Sequence, residues 1–278
     1  PSHMEEISET LSSIHEAVDA IKSRGGRAPK VLLVGEREGV MAQMWHSAGA
    51  DVATCDLHAR RGGPPEVPHY RGDAKYIQDL GWDLVIAHPP CTYLSNAGVQ
   101  YLHTEPGRCN RMREAAEEFR RQAGANAPFV AIEQPKMHGY ATNALGGLRP
   151  TQYIHPWQHG TGQTKPTALY LSESLPPLVP SCIVPGRDRA LAKLSPSPER
   201  SELRSRTFIG IAAAMAAQWM PVLLQHVSQE IHPIPPLPPS TVSPCMTTSA
   251  TGLVHQARNL RISCSVPLAT VSTCSRRE

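Results

Sequence analysis

The sequence lacks the long apolar run that a membrane helix needs, because no stretch approaches about 20 consecutive apolar residues. It also lacks a signal-peptide pattern. Its seven cysteines are odd in number, scattered, and never spaced as Cys-x-x-Cys, which argues against a disulfide scaffold and against a zinc site. We therefore expect an intracellular protein of a reducing compartment, in the cytoplasm or nucleus of the host cell, with no membrane partner and no metal.

Two phosphate-binding signatures are absent as well. The chain contains no Gly-x-Gly-x-x-Gly, which cradles a pyrophosphate, and no Gly-x-x-x-x-Gly-Lys-Ser/Thr loop. These absences argue against a dinucleotide as the ligand. The net charge of +3 neither demands nor forbids a nucleic-acid partner, because a local basic face is enough to bind one.

The chain does contain a regular alternation of apolar strands and helical segments. With 278 residues, of which 40% are hydrophobic, it can bury one sizeable core. Strands that alternate with helices are typical of parallel strand–helix–strand units with right-handed crossovers. We expect an α/β fold with a mostly parallel sheet and helices on both faces. The predicted strands are 30–35, 51–56, 70–73, 83–87, 128–133 and 167–171, and the predicted helices are 40–48, 74–80, 105–123 and 208–219.

The chain divides into four predicted parts. Residues 1–3 precede Met4 and resemble an expression scar. Apolar residues at helical spacing predict an amphipathic helix within 4–26, packed on the domain that follows. Residues 27–228 form the main domain. Residues 229–278 are rich in Pro, Ser and Thr without a sustained hydrophobic period, so we expect them to be disordered.

The predicted strand at 83–87 runs directly into His88-Pro89-Pro90-Cys91. A cysteine just past a buried parallel strand lies at the sheet edge where α/β proteins place their ligands. The two prolines fix backbone φ angles and remove two amide donors, so the thiol is carried on a stiff turn. This favours a nucleophile, whereas the plainer interpretation of a lone cysteine is a small buried residue. His88 is interpreted as packing against the turn or orienting it.

Three polar or flexible features follow successive predicted strands. Gly35 and Gly39 lie in the turn after the first strand, where glycines let the backbone approach a ligand closely. Asp56 follows the second strand and could accept hydrogen bonds from a ribose diol. Asp73 follows the third strand and could accept from the amine of adenine. Either aspartate could instead be a helix N-cap.

The charges in the first turn indicate which adenosine ligand to expect. Glu36 and Glu38 would repel a phosphate but could contact an ammonium group. This contrast favours S-adenosylmethionine over a dinucleotide.

At this point the chain resembles the DNA (cytosine-5) methyltransferases, in particular short phage- and prophage-type members, over roughly residues 30–222. The resemblance is carried by His88-Pro89-Pro90-Cys91-Thr92, by Ala131-Ile132-Glu133-Gln134-Pro135, by Asp56 and Asp73, and by residues 204–212. It implies a Rossmann-like class I S-adenosylmethionine-dependent methyltransferase fold. It also implies S-adenosylmethionine as cofactor, and DNA as partner.

The resemblance assigns roles to individual residues. It implies that Cys91 is the nucleophile and Glu133 the carboxyl that activates the cytosine ring, although Glu133 could instead cap a loop. Lys165 falls where the family places a basic residue near the base or a phosphate, although an exposed lysine is usually only solvated. Pro89 and Gly210, in the family's nucleophile and last motifs, are expected near the cofactor.

The chain departs from the family in size. Sequence-reading members insert a long target-recognition region, for which only residues 166–203 are available here. We therefore expect low sequence specificity, and single-stranded DNA, RNA or a free cytosine nucleotide stay open as substrates. A catalytically idle binding module with the same fold is a further alternative.

Overall fold

A seven-stranded mixed sheet organises the protein. The computed structural model describes residues 2–190, 197, 203 and 206–231. The strands are β1 (Lys30–Val34), β2 (Asp51–Asp56), β3 (His69–Arg71), β4 (Leu84–Ala87), β5 (Phe129–Pro135), β6 (Gln152–Ile154) and β7 (Thr167–Leu171). Their order in the sheet is β3-β2-β1-β4-β5-β7-β6. β1 to β5 pair in parallel, whereas β7 runs antiparallel to both of its neighbours.

Helices cover both faces of this sheet. They are α1 (His3–Ser23), α2 (Val40–Ser47), α3 (Arg108–Ala123), α4 (Gly139–Ala144) and α5 (Ile209–Ile231). One apolar layer joins α1, α2 and α5 to the sheet, and a second layer joins α3 and α4 to the opposite face. The predicted α/β fold, a mostly parallel sheet with helices on both faces, is confirmed. The strand order reverses between β1 and β4, which is where such sheets open a crevice at their carboxyl edge.

The start of the chain contributes to the core. Ser2 caps α1, since its hydroxyl accepts from the Glu5 N–H while the Glu5 carboxylate accepts from the Ser2 N–H. Leu11 and Val18 are buried in the layer formed with α2 and α5. The predicted amphipathic helix is thus present and begins at His3, inside the segment interpreted as a scar.

Several elements differ from the sequence prediction. α5 continues to Ile231 through Pro221, because Leu223 and Val227 beyond the proline are buried in the core. The predicted helix at 74–80 is a short 3-10 helix, Ala74–Tyr76. β6 and α4 were not predicted, since three and six residues are too short for a clear period. The predicted disorder of 229–278 lies, from residue 232 onward, outside the described residues.

None of the helices within the described ranges is long and apolar enough to cross a membrane.

At the amino edge of the sheet, an ion-pair cluster joins α5 to β4. The Arg27 guanidinium donates to both oxygens of Asp83, at 2.6 and 2.8 Å, and to both oxygens of Glu230, at 3.0 Å. The Lys30 N–H also donates to Asp83, at 2.7 Å. Burial alone would raise the pKa of Asp83, but the hydrogen bonds from Arg27 and Lys30 lower it below its ordinary value. The cluster therefore stabilises the fold while Asp83 is ionised.

We expect Asp83→Asn to lower the free energy of unfolding by about 2 kcal/mol near neutral pH. The expected loss is smaller than for a fully buried pair because Arg27 is partly exposed. A lowered carboxyl pKa stabilises the fold above the ordinary aspartate pKa and loses this effect as pH falls through the folded value. Urea unfolding at neutral and acid pH should therefore show a difference that shrinks with acidity. Asp19→Asn, on the exposed face of α1, is the matched control and should change little; a pH-independent difference would contradict the prediction.

Candidate functional site

A cavity of about 400 Å³ opens at the carboxyl ends of β1, β2 and β4. Its size lies within the range of small-molecule sites, and its place is the switch point of the sheet. The ends of the strands form one side and the last turns of α3 form the other. The lining residues are Val34, Gly35, Cys55, Asp56, Leu57, His58, Gly72, Asp73, Ala74, His88, Pro90, Glu118, Arg121 and Gln122.

Asp56 is the last residue of β2 and lines the cavity. Its Oδ1 accepts from the His58 N–H at 2.7 Å, which fixes the carboxylate in a tight turn. Among the described residues, Oδ2 has no hydrogen-bond partner. Asp56 is therefore free to accept a hydrogen bond from a ligand hydroxyl.

Asp73 also lines the cavity, but its carboxylate already has partners. It caps the 3-10 helix by accepting from the Lys75 N–H at 3.0 Å, and it accepts from the Arg121 guanidinium at 2.7 Å. Burial opposes its ionisation, but these hydrogen bonds lower the pKa of Asp73 to about 2. The N-cap alternative is thus what the structure contains, and a ligand amine would share Asp73 with Arg121.

The two glycines of the first turn allow close contacts within the protein. Gly35 has φ +74, and a Cβ there would lie 2.5 Å from the His88 carbonyl oxygen. Gly39 has φ +80, and a Cβ there would lie 2.2 Å from backbone atoms of Gly62 and Gly63. Only Gly35 of the pair also lines the cavity. Gly39 serves the packing of the turn against the loop that follows β2.

Glu36 lies beneath this turn and outside the cavity lining. The side chain is buried, and burial raises the pKa of Glu36, opposed by His88 and by backbone N–H groups at the start of α2. The expected contact of Glu36 with a ligand ammonium group is therefore not supported by its position. Glu38, the other acid of the turn, forms an ion pair with Arg61 at 3.4 Å.

The turn that carries Cys91 is attached to β5. β4 and β5 pair in register, with Ala87 opposite Ile132. Beyond this pair, the Gln134 amide donates to the Pro89 carbonyl at 2.5 Å. The Cys91 carbonyl then accepts from two N–H groups in the following turn, and the Cys91 residue is half-buried. Pro89 therefore acts in the turn through its carbonyl, while its neighbours His88 and Pro90 line the cavity.

Glu133 lies beside this turn. β5 continues to Pro135, so Glu133 is within the strand and not at its end. Its Oε2 is 3.3 Å from Nε2 of His88, and both side chains are 14% exposed. The imidazole is fixed on its other side, where Nδ1 lies 3.1 Å from the Val34 carbonyl oxygen. The structure thus brings the predicted carboxyl to the same sheet edge as Cys91.

Lys165 lies at this edge as well. It precedes β7 by two residues, and Thr167 at the start of β7 pairs with Pro135 at the end of β5. Its Nζ donates to the Arg206 carbonyl at 3.3 Å and lies 5.7 Å from the centre of the Phe208 ring. Lys165 therefore contacts the segment that leads into α5.

Gly210 lies away from the cavity. A Cβ there would come within 1.7 Å of the His159 carbonyl oxygen, so Gly210 lets α5 begin directly against that loop. Because Gly210 packs against His159 and does not line the cavity, its position does not support the expected contact with the cofactor. Arg204, part of the same predicted motif, lies outside the described residues.

The sequence analysis missed the contribution of α3 to the cavity. Glu118, Arg121 and Gln122 follow one another on one helical face, a spacing that signals a shared direction. The sequence does not reveal which sheet edge that face meets, because this depends on how the crossover packs.

A possible metal cluster lies elsewhere. Within the described ranges, ligand atoms of Asp83, His226 and Glu230 come within 4.8 Å of one another. Arg27 already binds both of these carboxylates. The cluster is at the opposite edge of the sheet from the cavity.

Comparisons with known proteins give a weak likeness. No protein-family model matches the chain, and no curated protein matches it. Among solved structures, it is similar to a prophage-encoded Escherichia coli protein described as a "putative DNA modification methyltransferase", with 16% identity and a TM-score of 0.39. The match covers 61% of this chain and 56% of that one. At this low identity and TM-score, the similarity assigns neither a substrate nor an activity to the present chain.

We expect Gly35→Ala to destabilise the protein more than Gly81→Ala. Both glycines have left-handed backbone, with φ of +74 and +79, so both substitutions cost about 1–2 kcal/mol in backbone strain. Only Gly35 adds a collision with His88, which should cost about 1–3 kcal/mol more, whereas the space around Gly81 is open. Urea unfolding measures both losses. If the two variants lost equal free energy of unfolding, the close contact between Gly35 and His88 would add nothing to the cost of a side chain at position 35.

Proposed function

We propose that the protein is an S-adenosylmethionine-dependent cytosine C5 methyltransferase that acts on DNA through a covalent adduct between Cys91 and C6 of the base. The observation that carries the proposal is the junction of β4 and β5. There the Cys91 turn is hydrogen-bonded to the strand that bears Glu133, directly beside the cavity.

The chemistry explains why a thiol and a carboxyl are needed together. C5 of cytosine is a poor nucleophile until a thiolate adds to C6, which converts the ring to an enamine. Glu133 would hold the ring at N3 and the exocyclic amine, where charge develops during the addition. After C5 has been alkylated, loss of its proton to solvent re-forms the ring double bond and releases Cys91 as a thiolate.

The cavity has features that suit the cofactor. Asp56 offers a free carboxylate oxygen to a ribose diol, and Gly35 leaves the backbone bare at the end of β1. Bound S-adenosylmethionine would supply an electrophilic sulfonium methyl group. Arg121 neutralises Asp73 and Glu118 at the far side of the cavity, so Asp56 is the carboxylate most available to the ligand.

Lys165 supports a polynucleotide as the substrate. It precedes β7, whose first residue pairs with the end of β5, the strand that bears Glu133. Its Nζ donates to the backbone carbonyl of Arg206 at 3.3 Å. A cation at this edge of the sheet can position a phosphate backbone. A free cytosine nucleotide has no phosphate backbone to position, so it is the second candidate, and an idle binding module is the third.

We expect incubation with S-adenosylmethionine and a 5-fluorocytosine oligonucleotide to give a covalent complex of one protein, one oligonucleotide and one methyl group. Fluorine at C5 blocks the elimination step, so the adduct accumulates and intact-mass spectrometry can detect it. Cys91→Ser should form none, whereas Cys109→Ser, a half-buried cysteine of α3, is the control and should form it normally. An adduct in Cys91→Ser would contradict the covalent role. An adduct with 5-fluoro-dCMP alone would favour the free nucleotide.

We expect Asp56→Asn to weaken binding of S-adenosylmethionine by about 1–3 kcal/mol, because a charged acceptor is lost from the cavity. Calorimetric titration measures the change. Asp51→Asn is the matched control, since Asp51 is exposed at the opposite end of the same strand and should leave the affinity unchanged. If the Asp56 variant and the unmodified protein bound S-adenosylmethionine with equal affinity, Asp56 would not be a cofactor-binding residue.

A further inference from the structure

Three of the chain's seven tyrosines lie on the loop after Cys91 and on the segment that packs against this loop. Tyr93 is half-buried, whereas Tyr101 and Tyr140 are 45% and 40% exposed. Aromatic residues make up only 5% of the chain, so three rings in one place are not part of an even scatter. Exposed rings that are grouped in this way indicate an interaction surface. We call these three residues the tyrosine surface.

His138 joins the two segments that carry the tyrosine surface. Its N–H donates to the Leu94 carbonyl at 3.0 Å, and its Nε2 lies 2.9 Å from the Tyr93 carbonyl oxygen. Its ring also packs edge to face with Tyr140, with the ring centres 6.1 Å apart. The loop that follows Cys91 and the segment that follows β5 therefore form one continuous surface beside the proposed nucleophile.

Arg108 fixes two of the rings. Its guanidinium is 5.1 Å from the centre of the Tyr93 ring and 5.4 Å from that of Tyr101. The Arg108 side chain is only 9% exposed and also donates to the Thr92 carbonyl at 3.2 Å. Gly98 leaves space for it, since a Cβ there would lie 2.6 Å from an Arg108 nitrogen. A buried cation thus covers one face of Tyr101 while the rest of the ring is exposed, so the ring is held in place before any ligand binds.

The charged groups around the tyrosine surface are three cations and one carboxylate. Arg108 and Arg111 share the carboxylate of Glu105, which pairs with both guanidinium groups. Lys136 adds an exposed ammonium group, and its carbonyl accepts from the Asn96 N–H of the loop at 3.1 Å. Aromatic rings that stack on bases, combined with cations that attract phosphates, are the two features by which proteins bind single-stranded nucleic acid.

We propose that the tyrosine surface binds the bases that flank the target cytosine in single-stranded DNA. The proposal rests on the proposed function and names the form of the DNA. In a duplex the neighbouring bases cover each base face, so Tyr101 and Tyr140 could stack on a base only after the duplex had opened. A single strand offers its base faces without that cost, and stacking tolerates any sequence. This agrees with the short stretch 166–203, which has no room for a long target-recognition region.

Fluorescence anisotropy with labelled single-stranded and duplex DNA of one sequence, without S-adenosylmethionine, tests the surface separately from the chemistry. We expect Tyr101→Ala to weaken binding of the single strand between about 5- and 150-fold. Duplex binding depends mainly on phosphate contacts and should change less than about twofold. Tyr101→Phe keeps the ring and should stay within about threefold of the unmodified protein. Tyr153→Ala is the matched control, because Tyr153 is also 45% exposed but lies in β6, and it should leave both affinities unchanged.

Tyr140→Ala should weaken binding of the single strand as well, which keeps the proposal testable if urea unfolding shows that Tyr101→Ala does not fold. Unchanged single-strand affinity in both alanine variants would overturn the proposal. Equal losses for single strand and duplex would overturn it too, as would tighter binding of the duplex or of the matching RNA by the unmodified protein.

The 5-fluorocytosine oligonucleotide separates this proposal from the proposed function. Ring-dependent binding of the single strand without any covalent adduct would overturn the proposed function and leave the tyrosine surface in place. An adduct that forms as fast in the alanine variants as in the unmodified protein, at DNA concentrations below saturation, would overturn the role of the surface and leave the proposed function in place.

Discussion

The pairing between β1 and β4 continues one residue beyond β4 and then stops, and this determines where the turn that carries Cys91 begins. The His88 N–H still donates to Val34, but Pro89 and Pro90 have no N–H to donate. The chain must therefore leave the sheet at a defined point. Gln134 then binds the Pro89 carbonyl and ties the departing segment to the next strand. A thiol is thus presented from a turn that is fixed on both sides.

The carboxylates near this edge have different environments, and this separates their roles. Glu36 is buried beneath the first turn, where desolvation raises its pKa. Asp73 is held ionised by Arg121 and the Lys75 N–H, which lower its pKa to about 2. Asp56 keeps an oxygen available to a ligand, and Glu133 faces an imidazole. Four acids within one region therefore divide into two structural groups and two that can act on a ligand.

Much of this site could be predicted from local sequence, because the carboxyl ends of parallel strands share one edge. This reasoning placed Gly35, Asp56, Asp73 and Cys91 at the crevice. It could not find the partner of Asp73, since Arg121 is distant in sequence and reaches the cavity only through the packing of α3. The contact between His88 and Glu133 depends in the same way on the register of β4 with β5.

The closest approach between the turn after β1 and the loop after β2 is made by glycine backbones. A Cβ on Gly39 would lie 2.2 Å from backbone atoms of Gly62 and Gly63, and a Cβ on Gly63 would lie 2.9 Å from the Cα of Gly39. A Cβ on Gly62 would lie 2.6 Å from the Glu38 carbonyl oxygen, so none of the three positions has room for a side chain. A collision elsewhere in a protein can be relieved when the neighbouring residue becomes smaller. Here no smaller residue exists, so a mutation at one position has no compensating mutation at the others. We therefore expect all three glycines to be retained together or lost together when this sequence diverges.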